Sequence, residues 1–148
     1  MELFSKEWAE AAREAINAFP DDAYRDTKLF MYWDWITAAK SGFDGSLAIC
    51  ARDLPSNGST GPRYVTFTFA DGEVTSATVS DTEPDATFVL AGDYAAWRDI
   101  AEGYDAGKAV MYRRLRLEKG DVFRFFNRVY LFTESLVAIS KIPATLPA

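Results

Sequence analysis

Alternating and helical hydrophobic patterns predict an α+β chain: a mostly antiparallel five-stranded sheet covered on one face by helices. Three observations carry this. Short stretches alternate apolar and polar residues, as half-buried strands do, most clearly Arg63 to Ala70, where Val65, Phe67 and Phe69 face one way and Tyr64, Thr66 and Thr68 the other. Other segments repeat apolar residues every three or four positions, as helices with one buried face do. The order is two helices, a run of strands, a helix, a basic strand and an aromatic terminal segment, with no internal repeat or linker.

Taken in order, Ser5 is placed to cap a first helix, with Phe4 outside it as a hydrophobic staple. Trp8, Ala12, Ala15, Ile16 and Phe19 share its apolar face, and Pro20 stops it. Residues 21–42 are read as a helix ending at Gly42, although LFMYWDWI would also serve as a strand. Residues 1–42 thus form a helical N-terminal extension of a single domain spanning 1–148. Tyr32, Trp33 and Trp35 cannot all face one direction. They imply either a generous core with one half-exposed ring or a contact site.

Ser46 to Arg52 reads as the first strand, with Leu47, Ile49 and Ala51 on one face. DLPSNGSTGP, from Asp53 to Pro62, is a loop by composition. Its glycines make no phosphate cradle, because Gly-Lys-Ser/Thr before a helix is missing. Arg63 to Ala70 and Glu73 to Val79 pair through an Asp71-Gly72 hairpin turn. Thr87 to Ala91 is a buried strand closed by Gly92, and Asp93 is placed to cap a helix carrying Tyr94, Trp97, Ile100 and Ala101 on one side. Gly103 ends that helix, Lys108 to Met111 forms a helical turn, and Leu115 and Leu117 alternate with Arg114 and Arg116 in a short strand. Asp121 caps VFRFFNRVYLFTESLVAIS, apolar over so wide an arc that burial by more than one layer is expected. Thr133 to Ser135 is a candidate break into a second short helix. The tail from Ile142, with Pro143 and Pro147, is expected to be extended or loose.

Composition bounds function. With 148 residues the chain can bury a sizeable core, and its 15% aromatic content needs an interior, a cavity or an interface. A net charge of −6 argues against a nucleic-acid partner. The chain has no histidine, which removes the commonest general base and metal ligand, and no metal or other cofactor is expected. Cys50 is the one cysteine and cannot close an internal disulfide. With no apparent signal peptide, a cytoplasmic location is expected. The scattered carboxylates are explained by capping and solvation, so no catalytic residue is assigned. Arg113, Arg114, Arg116, Lys119, Arg124 and Arg128 read as the wet face of a strand and helix, or as a contact for lipid head groups.

The unit from Asp85 to Asp121 resembles the sterol carrier protein family. The matching pieces are a strand leading to an acid at Asp93, the Ala109-Val110-Met111 turn, the Leu115-Arg116-Leu117 strand and Lys119-Gly120-Asp121 opening a terminal helix. Two departures stand out. Arg113 occupies a position where the family often has glycine, and Glu118-Lys119 lengthens the strand by one residue. The resemblance implies a non-enzymatic carrier that shelters a fatty acyl or sterol-like molecule between sheet and terminal helix. The expected ligand contacts are Val65, Phe67, Phe69, Trp97, Ile100, Phe123, Phe126 and Tyr130. Transient contact with a membrane surface, a homodimer or a partner enzyme of lipid metabolism would be compatible with such a carrier. The alternative is an interaction or dimerisation module, or an accessory subunit for a lipid-metabolism enzyme, without a bound ligand.

Overall fold

The computed structural model describes residues 1–147, which form α1 (Lys6–Ala18), α2 (Asp22–Arg25), α3 (Phe30–Lys40), β1 (Gly45–Ser56), β2 (Ser59–Ala70), β3 (Glu73–Ser80), β4 (Phe88–Gly92), α4 (Tyr94–Ala101), α5 (Ala106–Met111), β5 (Arg116–Lys119), α6 (Val122–Asn127) and α7 (Val129–Ser140). The strands make one sheet in the order β3-β2-β1-β4-β5. β1 and β4 run parallel; the other three pairings are antiparallel. The mostly antiparallel α+β sheet expected from the sequence is therefore present.

Alternation decides which sheet face is buried. Leu47, Ile49 and Ala51 of β1, Val65, Phe67 and Phe69 of β2, and Phe88 and Leu90 of β4 project into the main core beneath α1, α4 and α7. The opposite face carries the small residues Ala48 and Val89, shielded by Tyr64. Ser5 caps α1 by accepting from the Trp8 backbone N–H at 3.1 Å. Phe4 is fully buried and packs on both Trp8 and Trp97, so the staple also ties α1 to α4. The indole N–H of Trp97 donates to the Cys50 carbonyl at 2.8 Å and seats α4 on β1.

Several local expectations need correction. Asp53 to Pro62 is not a loop. β1 and β2 continue to a two-residue turn at Asn57 and Gly58, both in the left-handed region that such hairpins need. A register shift between Ala51 and Leu54 sets Pro62 opposite a bulge, where its missing N–H breaks no ladder bond. Residues 21–42 hold two helices rather than one, α2 and α3, and α3 buries only Trp33 and Ile36. Asp93 does not cap α4 with its side chain; Asp53 reaches across from the bulge and accepts from the Tyr94 N–H at 2.6 Å. The tail is pinned rather than loose: Thr145 bridges to the N-terminus, and Tyr94 donates to the Pro147 carbonyl.

The terminal segment breaks at Arg128, not at Thr133 to Ser135. Arg128 donates to the Ala39 carbonyl and lies 5.0 Å over the Phe43 ring, contacts from distant parts of the chain that local pattern does not encode. Only the half beyond the break is deeply buried. α6 hides Phe125 alone, while Val122, Phe123 and Phe126 are exposed.

Candidate functional site: an apolar groove at the sheet edge

The eight aromatic and aliphatic residues singled out from the sequence divide into two places. Val65, Phe67, Phe69, Trp97 and Ile100 are buried in the main core. Phe123 (81% exposed), Phe126 (55%) and Tyr130 (57%) lie on the outer side of α6 and the start of α7. The layer between sheet and α7 is occupied by rings. Phe43 meets Phe69 and Phe132, Phe88 meets Phe125 and Phe132, and Phe125 stacks on Phe132 at 5.0 Å.

Open apolar space lies beside that layer, where β5 ends the sheet. A groove of about 510 Å³ runs between α5, β5 and α6. Leu90, Leu115 and Phe125 make its floor; Val110, Met111, Leu117, Val122 and Phe126 line its walls, and the charged side chains of its lining are Arg113 and Arg116. Such a volume is ordinary for a small-molecule site. Phe126 alone of the eight lies on it. The other lining residues were legible only in part: Leu115 and Leu117 alternate as a strand should, but nothing local says that the strand ends a sheet.

Each wall has a cause in the chain. Asp105 caps α5 by accepting from the Lys108 N–H at 3.0 Å, and Asp121 caps α6 by accepting from Arg124 at 3.0 Å. The turn from α5 to β5 is closed by the N–H groups of Arg113, Arg114 and Leu115 donating to Val110 and Ala109 carbonyls. It presses against Gly92, where an added Cβ would stand 2.6 Å from Leu115 Cδ2 and 2.8 Å from the Arg114 carbonyl oxygen. The extra residue in β5 is taken up by a register shift between Val89 and Leu90, which turns Glu118 outward onto Arg52.

Reactive groups lie elsewhere. Cys50 is buried in β1, and burial pushes its thiol up, away from the thiolate. Glu134 is only 5% exposed; it accepts from the Tyr32 hydroxyl and leaves Oε2 without a partner. Burial, with Glu134 nearby, raises Tyr24 to about 12 and Tyr32 further still. This pair joins α3 to α7 away from the groove. Among the described residues no group of three or more Cys, Asp or Glu is placed to hold a metal ion, and no helix is long and apolar enough to cross a membrane. A cleft of about 550 Å³ between the chain's start and the β1–β2 turn has a mostly polar wall.

Known structures share this architecture. A crystal structure of sterol carrier protein 2 superposes with a TM-score of 0.74 over 96% of this chain and 100% of its own, at 25% identity. A solution structure of a conserved hypothetical protein from Thermus thermophilus, described as possibly a sterol carrier protein, gives 0.70 over 98% of this chain and 92% of its own, at 24% identity. The chain therefore has the sterol carrier protein 2 fold along nearly its whole length. No family model matches the sequence, and no curated protein matches it.

Proposed function

We propose that the chain binds and transfers a lipophilic molecule, fatty acyl or sterol-like, without catalysing a reaction. The observation that carries this is the apolar groove between α5, β5 and α6 on a sterol-carrier fold. Burying a ligand there removes apolar area from water at roughly 25 cal/mol per Å² before association costs. An acyl chain gains about 0.8 kcal/mol per buried CH₂. That suffices for micromolar affinity with no acid, base or metal.

Val110, Met111, Leu117, Val122 and Phe126 contact the ligand in this reading. Phe123 and Tyr130 lie outside the groove, Tyr130 against the Tyr32 ring, and Val65, Phe67, Phe69, Trp97 and Ile100 form packed support in the core. The exposed α6 face, with Arg124 on the same helix, suits brief contact with a membrane surface during loading. Titration with a fluorescent fatty acid tests the proposal. Saturable micromolar binding is expected, weakened at least tenfold by Leu117→Glu, which puts a charge into the groove. No uptake, with no lipid mass on native mass spectrometry, would overturn it.

A second reading has its own observation. Leu29, just before α3, and Phe30, Met31 and Trp35 within it are exposed, the last 60% accessible. A subunit interface with a second copy would cover them. Light scattering after size exclusion separates the two: a tight dimer that takes up no fatty acid favours the interface, and a monomer that does favours the carrier.

A further inference from the structure

Arg113 and Arg116 bound the apolar groove. On their other side lies a second cavity of about 310 Å³, lined by Arg52, Asp93, Ala95, Ala96, Arg113, Arg114 and Arg116. Arg113 and Arg116 line both spaces. One is apolar; the other holds four guanidinium groups and one carboxylate at the start of α4.

The four arginines are not equivalent. Arg52 is ion-paired with Glu118 and lies 3.6 Å from Asp93. Arg114 donates to Asp99 at 2.7 Å, which holds the Asp99 carboxyl below its ordinary value. Arg113 and Arg116 have no carboxylate partner among the described residues. Arg116 donates through Nε only to the Arg113 carbonyl, at 3.2 Å.

Arg113 is also strained. Its φ of +62° lies in the left-handed region, where glycine would sit without a Cβ penalty. A strained long cation at the boundary of an apolar and a basic cavity is a functional hint rather than a folding device. The stretch from Lys108 to Arg128 has seven basic residues against two acidic ones, in a chain whose net charge is −6.

We infer that Arg113 and Arg116 form a head-group subsite, so that the preferred ligand is a single-chain amphiphile ending in a phosphate, with its tail in the groove and its head in the arginine cavity. Two unpaired guanidinium groups match a dianion better than a carboxylate or a neutral head, and their planar forks suit phosphate oxygens. At the start of α4 the Tyr94 N–H donates to Asp53 and the Ala96 N–H to the Asp93 carbonyl, which leaves the N–H of Ala95, a lining residue of this cavity, as a further donor of the favourable sign.

This rests on the carrier reading, and the experiment separates the two. Dodecyl phosphate, dodecanoate and monododecanoylglycerol are titrated below their micelle concentrations into the wild type, Arg113→Gly and Arg116→Gln. The expected order is phosphate, then carboxylate, then neutral, with at least tenfold between first and last and the gap narrowing as salt rises. Arg113→Gly weakens the phosphate five- to tenfold and leaves the neutral probe unchanged. It does not lower the thermal midpoint, because glycine relieves the backbone. Arg116→Gln gives the same selective loss. Equal affinity for all three probes, or a variant that weakens them alike, overturns the subsite and leaves the carrier standing. Tightest binding of dodecanoate overturns the phosphate assignment. Failure of all three probes to bind overturns both.

Discussion

The centre of the sheet and its β5 edge treat the same kind of side chain differently. At the centre, the rings of Phe43, of Phe69 in β2, of Phe88 in β4 and of Phe132 in α7 close the space by edge and tilted contacts. Around β5, comparable apolar residues leave a groove of about 510 Å³. The difference lies in what each element can lean on. β2 has a strand on both sides, whereas β5 is an edge strand of four residues flanked by two helices of six residues each. Long paired elements reach the density of a normal interior. Short elements at an edge stop short of it, and the unfilled volume becomes available to a ligand.

The comparison breaks most visibly at Phe69. Phe69→Ala should cost about 3–5 kcal/mol of stability, measured by urea unfolding, while the folded fraction binds fatty acid as the wild type does. A mild effect on stability with lost binding would move Phe69 from support to contact. Phe126→Ala is the mirror experiment: stability should change by under about 1 kcal/mol, since the ring is already more than half exposed, and affinity should fall severalfold. Equal losses in both variants would erase the contrast.

The smallest effect is alkaline. Tyr24 and Tyr64 are each pushed up to about 12, first by burial, and then by Glu134 and by Cys50 respectively. An unfolded tyrosine ionises near ~10. A raised folded value means stability is intact below the unfolded value and falls as pH rises from there through about 12. Tyrosinate absorbance should therefore lag in the native protein and jump on unfolding. A single simple titration near the ordinary value would contradict the packing around Tyr24, Tyr32 and Glu134.

Much of this architecture was legible in the chain, and the misses share a cause. The alternation at Val65, Phe67 and Phe69, the Asp71-Gly72 turn, and the caps at Ser5 and Asp121 are local, and each is found as read. Asp53 capping α4 from 41 residues away, and Arg128 breaking the terminal helix on Phe43 and the Ala39 carbonyl, are long-range contacts without local signal. The site suffered in the same way. Phe67, Phe123 and Phe126 are alike in sequence, yet one is sealed in the core and two face outward, because burial depends on which strands are neighbours. Leu115 and Leu117 gave their alternation away, but not that Leu115 falls just before the sheet's last strand and Leu117 within it.

Photo-crosslinking with a diazirine-bearing fatty acid, followed by peptide mapping, tests the groove most directly. Adducts should concentrate between Ala106 and Phe126, on Met111, Leu117 and Phe126, and free dodecyl phosphate should compete them away. Adducts on β2 or α4 instead, at Phe67, Phe69 or Trp97, or labelling spread evenly over the surface, would contradict a ligand site at the sheet edge.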